Sequence, residues 1–186
     1  VGDLVNEANH TIEIAHGTGW PWLTKNYAYT LTVNDGEYAF SDFDSTDTVM
    51  KIIGVRVTYT DGTYTPLDLI SVDEANWLYT VPTSTGTPEK FAVEGTNLYL
   101  YPSPDAAYVT RIRAVRTEPE LSAASDTPLL PVAFHGAIVA ASCMLYYETL
   151  QDITRAEAFS QRLDGWLGRM QTYARQAVPV PRVRVR

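Results

Sequence analysis

Few residues in this chain are of types that perform acid–base, nucleophilic or metal chemistry. The candidates are three histidines and the single cysteine: His10, His16, His135 and Cys143. A metal site needs several such ligands at short spacing, whereas His10 and His16 are six residues apart and fall on different faces of a helix. Cys143 lies in an apolar run without a cationic neighbour in sequence that would activate it. We therefore expect no metal site and no cofactor.

An acidic segment has part of the spacing of a calcium-binding loop. Asp42 and Asp44 occupy the first and third positions and Asp47 lies close behind them, but the central glycine is missing, and Ile53 stands where a bidentate glutamate is needed. We interpret the segment as an acidic surface loop. The sequence also contains no glycine-rich phosphate loop, no Gly-x-Ser-x-Gly and no His-Glu-x-x-His. No catalytic residue is assigned, and we do not expect an enzyme.

Charge is distributed unevenly along the chain. The formal net charge is −8, but residues 1–153 carry −13 and residues 154–186 carry +5. This asymmetry suits a subunit whose basic end meets an acidic surface on another protein or on a neighbouring copy. A solvated basic helix with a frayed tail is the alternative interpretation.

A second group of arginines lies in a β-patterned segment. Arg111 and Arg113 would share one face of a strand, with Arg116 close by. Tyrosines that could stack on bases occur nearby: Tyr99, Tyr101 and Tyr108. Weak contact with sliding DNA suits this group better than sequence-specific binding, because the surrounding half of the chain is strongly acidic.

The elements that position these residues begin with a helix and a long β-patterned region. Apolar residues recur at helical spacing over residues 1–16, and Trp20 and Trp22 form a core corner after it. From residue 27 to 117 the period changes to two. Hairpin turns are predicted at three sites: Asn34–Gly36, Asp61–Gly62 and Glu94–Gly95. A short helix capped by Ser71 is predicted within this region. Six or seven short strands in an antiparallel barrel or sandwich are expected.

Two further helices are predicted after the β-region. The first runs from Pro131 to about Leu150 and is apolar nearly all round, which predicts a central place in a bundle. The second carries an apolar heptad seam that includes Trp166. Arginines seven residues apart form a basic stripe beside that seam: Arg155, Arg162 and Arg169.

The chain ends in a segment that cannot be helical. Pro179 and Pro181 keep residues 178–186 extended. Arginines and valines alternate along this arm: Arg182, Arg184, Arg186, Val180, Val183 and Val185. We expect the arm to become ordered only against a partner, because free protein has nothing to offset the entropy of ordering it.

The order of elements predicts an α+β protein. A helical bundle of one N-terminal and two C-terminal helices carries an inserted antiparallel β-barrel or sandwich module and ends in an extended arm. We place the helical body at residues 1–23 and 119–177, the β-module at 24–118 and the basic arm at 178–186.

A family resemblance rests on an ordered set of motifs. Residues 86–104 comprise a turn, a short strand, a turn at Gly95, an alternating strand and a Pro-x-Pro stop. Pro119-Glu120-Leu121-Ser122 follows, then Asp126-Thr127-Pro128-Leu129-Leu130-Pro131, then a long apolar helix. The set resembles the head-to-tail adaptor (head-completion) proteins of tailed bacteriophages, from Trp20 to about Tyr173.

This resemblance implies a structural protein of the virion. It implies a twelvefold ring beneath the portal that connects the capsid to the tail and lines the DNA exit channel. The implied partners are the portal protein, a tail tube or nozzle protein, further copies of the chain and non-specifically bound genomic DNA, with no membrane. The implied location is the neck of the virion, and the host cytoplasm before assembly.

Two contact roles follow for the basic residues. The arm is expected to dock on the portal, and the stripe of Arg155, Arg162 and Arg169 to contact a neighbouring subunit or the portal. The alternative function is a β-sandwich module of a phage tail or host-interaction protein that binds carbohydrate or a receptor. Its stacking platforms would come from the twelve tyrosines and four tryptophans, but the heptad helix and the arm would then have no role.

Overall fold

The structure, a computed structural model, describes residues 2–15, 19–45, 48–59, 61–80, 84–123 and 125–177. The chain separates into two compact units. Unit 1 comprises Val1–Leu23 and Glu118–Arg186, and unit 2 comprises Thr24–Thr117. Helices dominate unit 1 and strands dominate unit 2, so the α+β class predicted from the sequence is confirmed.

The described part of the chain contains four α-helices: α1 (Gly2–Ile14), α2 (Val72–Thr80), α3 (His135–Thr149) and α4 (Ile153–Ala177). In unit 1, α1 contacts α3, and α3 contacts α4. Short 3₁₀ turns precede the β-region and α3, at Pro21–Leu23 and Val132–Phe134. The predicted end of α1 at residues 16–18 and the predicted arm at 178–186 lie outside the described residues.

Polar side chains cap two of the helices. Ser71 accepts a hydrogen bond from the Glu74 amide through its Oγ at 3.1 Å, which confirms the predicted N-cap of α2. Asp152 caps α4 in the same way, because its Oδ1 accepts from the Arg155 amide at 3.2 Å. Between α3 and α4, Gln151 adopts a φ of 57°. The left-handed residue ends one helix and lets the next begin within two residues.

The corner after α1 is built on its two tryptophans. Trp20 is 1% exposed, and its indole Nε1 donates to the Ile12 carbonyl at 2.7 Å. Trp22 stacks on it with ring centroids 4.8 Å apart. The corner therefore ties the end of α1 to the chain entering the β-region.

Unit 2 contains short strands throughout. The strands are β1 (Thr24–Thr30), β2 (Glu37–Ala39), β3 (Val49–Thr58), β4 (Tyr64–Pro66), β5 (Asp68–Leu69), β6 (Thr85–Gly86), β7 (Lys90–Glu94), β8 (Asn97–Tyr101), β9 (Ser103–Pro104) and β10 (Val109–Arg116). They form two four-stranded sheets, ordered β1-β10-β3-β4 (sheet A) and β2-β8-β7-β5 (sheet B), and the pair β6-β9. The pairings are antiparallel except for β5 with β7 and β6 with β9, which are parallel.

One apolar core lies in unit 2 and takes residues from both four-stranded sheets. Sheet A contributes Val57 and Ile112, and sheet B contributes Leu98 and Leu100, none of which is measurably exposed. The described strands do not close into a barrel. The barrel option is therefore wrong, and two sheets around one core are what the alternating pattern produces.

One predicted hairpin is also wrong. Asn34 does sit in a turn, with a φ of 63°, but β1 pairs with β10, and β2 pairs with β8 in the other sheet. The Leu31 amide donates to the Tyr108 carbonyl at 2.9 Å, so the chain leaving β1 is held by a distant segment. The other two turns join antiparallel neighbours as predicted, with Gly62 at φ 84° and Gly95 at φ 59°.

Candidate interaction surfaces

The heptad seam of α4 is covered on one side only. Its buried residues are Ala156, Leu163 and Met170. The intervening aromatic positions of the predicted seam are less covered: Phe159 and Trp166 are half-buried, and Tyr173 is 47% exposed. Each of these aromatic rings presents apolar surface to the outside of the chain.

A second seam runs along α3 and its flanking turns. Residues at steps of four and three line it: Val132, Gly136, Val139, Cys143, Tyr146 and Leu150. Val132 is 81% exposed, Val139 is 62% exposed and Leu150 is 56% exposed. The sequence predicted a helix that is apolar nearly all round and central in a bundle; α3 contacts both α1 and α4, but this stripe of it is exposed. The heptad steps were the signal that could have identified this stripe.

A groove opens between the two seams. It holds about 570 Å³ and is lined by Gly136, Val139, Ala140, Phe159, Gln161, Arg162, Gly165, Trp166 and Arg169. Trp166 packs directly on the backbone of α3, since a Cβ built on Gly136 would lie 2.6 Å from Cζ2 of the indole. At Gly165 a Cβ would meet nothing within 4 Å. Glycine thus allows a close contact at one wall of this α3–α4 groove and leaves space at the other.

The arginines of the predicted basic stripe lie on aromatic rings, and two of them, Arg162 and Arg169, line the α3–α4 groove. The guanidinium carbon of Arg155 lies 5.4 Å from the Tyr147 centroid. Arg162 lies 5.4 Å from Phe159, and Arg169 lies 5.1 Å from Trp166. Stacking of this kind contributes about 0.5–1 kcal/mol at exposed sites and orients the charge.

The arginines of the stripe differ in whether they have an acidic partner. Arg155 has an acidic partner on the preceding turn, with Nε 3.5 Å from Asp152. Arg162 and Arg169 have no acidic partner among the residues that the structure describes. Two exposed positive charges beside an apolar groove suit a partner that is apolar in the centre and acidic at its edge.

Sheet A carries the other basic surface. Arg111 pairs directly with Arg56 across β10 and β3, and Arg113 is two residues along the same face. All three are exposed, and within the described ranges none has an acidic partner. Like charges opposite each other destabilise a sheet. This arginine face of Arg56, Arg111 and Arg113 therefore suits an anionic ligand.

The hydroxyl groups of two of the predicted tyrosines donate to carboxylates rather than lying beside these arginines. Tyr99 donates to Glu37 Oε1 at 3.0 Å, and Tyr108 donates to Asp105 Oδ1 at 2.7 Å. Tyr64 on β4 stacks instead, with the Arg56 guanidinium 4.7 Å from its centroid. Sequence reasoning missed Arg56 because strand register alone brings it to Arg111.

Three of the candidate chemical residues, Asp42, Asp44 and His135, make contacts within the fold, and His16 and Asp47 lie outside the described residues. Lys25 Nζ lies 2.8 Å from Asp44, and the Ala39 amide donates to Asp42 at 3.0 Å. His135 Nε2 lies 3.0 Å from the Leu130 carbonyl oxygen. Across the described residues, no group of three His, Cys, Asp or Glu side chains could hold a metal ion. No described helix combines the length and apolarity needed to cross a membrane.

Comparison with known proteins gives one result over the entire chain. A family model described as SU10 adaptor protein matches residues 1–186. No curated protein was found to match the chain significantly. The family match confirms the resemblance drawn from the order of motifs. The chain therefore belongs to the SU10 adaptor protein family of bacteriophage adaptors.

Proposed function

We propose that this protein is a head-to-tail adaptor whose copies form a twelvefold ring beneath the portal, in the neck of the virion. The ring connects the capsid to a tail tube or nozzle protein and surrounds the exit path of the DNA. The observation that carries the proposal is the match of a phage adaptor family to residues 1–186. Before assembly the subunits reside in the host cytoplasm.

The surfaces of the described chain support an assembly role. The stripe along α3 and the aromatic side of α4 expose apolar side chains at heptad spacing, which a soluble monomer has no reason to maintain. The arginine stripe at the groove adds directional charge, and we assign it to a contact with a neighbouring subunit or the portal. An adaptor of this kind holds proteins together, which fits a chain without enzymatic activity.

The arm at residues 178–186 is proposed as the portal-docking segment. Its alternating arginines and valines suit strand addition to a sheet edge, or insertion between portal subunits. Contacts made by arginine weaken as salt screens them. Portal binding should therefore decline with ionic strength.

The test uses the purified chain of residues 1–186, called the full chain, and a chain ending at Val178. Each is mixed with portal rings at low and high salt and imaged by negative stain. The full chain should add a ring-shaped layer below the portal, whereas the truncated chain should not bind but should keep an unchanged melting temperature. Failure of the full chain to bind any portal ring would refute the adaptor proposal. Full binding by the truncated chain would remove the arm from the mechanism.

A further inference from the structure

We propose that the outer face of α1 in one copy seats in the α3–α4 groove of the next copy. This inference rests on the proposed ring and identifies the surfaces that join its subunits. It concerns only the helical unit of each copy. Both surfaces are exposed in the chain, so each is available to a neighbour.

The outer face of α1 is defined by residues at steps of four, three and four: Asp3, Glu7, His10 and Ile14. All of them are exposed, and Ile14 is 61% exposed. The opposite face of α1 is buried, through Ala8, Asn9, Ile12 and Glu13. The helix is thus anchored in its own unit and presents a narrow acidic stripe that ends in a branched apolar side chain.

The charges of the two surfaces are complementary. Helix α1 contains acidic residues but no lysine or arginine, and the α3–α4 groove is lined by arginine but by no acidic residue. Arg162 and Arg169 have no acidic partner in the described chain. A helix that brings Asp3 and Glu7 to the rim would neutralise them, which fits recognition of an amphipathic helix by a groove.

The spacing of the groups is compatible with this contact. Seven residues separate Glu7 from Ile14, which is about 10.5 Å at 1.5 Å per residue. Four residues separate Gly165 from Arg169, which is about 6 Å along α4. With Ile14 over the open wall at Gly165 and α1 antiparallel to α4, Glu7 lies about 4.5 Å beyond Arg169 along the helix axis, a distance that an extended arginine side chain can span. The Ile14 side chain would fill the space beside Gly165, where a Cβ would meet nothing within 4 Å.

The contact uses two different surfaces, so it is heterologous. Heterologous contacts repeat from copy to copy and close into a ring when the rotation permits. An isologous contact, in which the same patch meets itself, would stop at a dimer. The contact therefore predicts that assembly continues past the dimer and can close into a ring.

Disulfide trapping tests the inference on the full chain, with Cys143→Ala as the background. A variant with Ile14→Cys is mixed with one carrying Gly165→Cys, with and without portal rings, and oxidised mildly. We expect a covalent dimer that forms about tenfold faster than with Gln171→Cys, an exposed α4 residue outside the groove lining. A chain carrying both Ile14→Cys and Gly165→Cys should form a ladder beyond the dimer.

A second pair of variants distinguishes loss of the groove contact from loss of folding. Gly165→Leu fills the groove, whereas Gly168→Leu adds the same side chain at an exposed α4 position that does not line it. Gly165→Leu alone should abolish subunit association, and both variants should fold at least as well as the wild type. Absence of the Ile14–Gly165 crosslink in both conditions overturns the inference. If portal binding persists in that case, the adaptor function stands and the groove receives another partner.

Discussion

Tyr38 illustrates how one buried hydroxyl organises a loop. Its side chain is 1% exposed, and its hydroxyl donates to the Asp35 carbonyl at 2.7 Å. The same oxygen accepts from the Thr32 amide at 3.1 Å. Burial is the main cause that raises the pKa of Tyr38 to about 12. The neutral phenol therefore holds the segment between β1 and β2, and ionisation would remove its donor.

This predicts an alkaline decline in stability. The folded pKa lies above the ordinary value of 10.0, so the contribution of Tyr38 is complete below that pH and is lost as the pH rises through the folded pKa. Tyr38→Phe should cost about 1 kcal/mol at neutral pH because the hydrogen bonds are lost. Urea unfolding across the alkaline range should show a shallower decline for Tyr38→Phe than for the wild type. Tyr64→Phe, at a 60% exposed position, is the control and should decline as the wild type does. Equal alkaline declines in the free energy of unfolding for Tyr38→Phe and the wild type would contradict the assignment.

At the scale of elements, the packing of α4 on α3 includes a close glycine–tryptophan contact. A methyl group on Gly136 would enter the ring of Trp166, at 2.6 Å from Cζ2. The indole must then move or the helices must separate. Because Trp166 is also half-buried at the groove, the same contact positions the aromatic wall and the arginine stacked on it.

A double-mutant cycle measures this contact. Gly136→Ala should destabilise the protein by about 1–3 kcal/mol, and Trp166→Ala by about 2 kcal/mol, less than for a fully buried tryptophan. In the Trp166→Ala background, Gly136→Ala should be neutral or stabilising, because alanine is the better helix former. Gly168→Ala controls for propensity alone. Additive free energies of unfolding would show that the two residues are independent.

At the scale of the whole molecule, the positions of the charges say more about its partners than the net charge does. Unit 2 contains twelve acidic and seven basic residues, yet three of its arginines form the arginine face without an acidic partner in the described chain. Lys25 and Lys90, in contrast, are paired with Asp44 and Glu74 at 2.8 and 2.9 Å. We propose that the arginine face contacts the phosphates of DNA passing through the ring.

The salt dependence of DNA binding tests this assignment. The slope of log affinity against log salt falls by about 0.9 for each duplex phosphate contact removed. Arg111→Gln combined with Arg113→Gln should therefore reduce the slope by about 2 in fluorescence anisotropy with a random duplex. Lys25→Gln combined with Lys90→Gln removes the same charge from paired positions and should change it little. Equal slopes for the two double variants would place the DNA contact elsewhere.

The sequence by itself determined the local features of this protein. Helical periodicity located α1, α3 and α4, and the cap at Ser71 marked the start of α2, because these signals act within one or two turns of chain. The α+β class and the adaptor family were also readable, since both depend on the order of such elements. Ligand spacing is absent among the histidines, which favoured a hydrogen-bonded polar side chain over a metal ligand, and His135 Nε2 lies 3.0 Å from the Leu130 carbonyl oxygen.

Only the tertiary structure decided which surfaces meet and which remain open. A turn signal at Asn34 cannot specify the partner of β1, because strand pairing with β10 is set by hydrogen bonds to residues far along the chain. Arg56 joins Arg111 through the same long-range register. A heptad spacing marks an apolar face but not the neighbour that covers it. Within the described residues, the α4 seam is buried on one side and the α3–α4 groove is open, because which faces pack together depends on contacts between helices and not on the spacing within one helix.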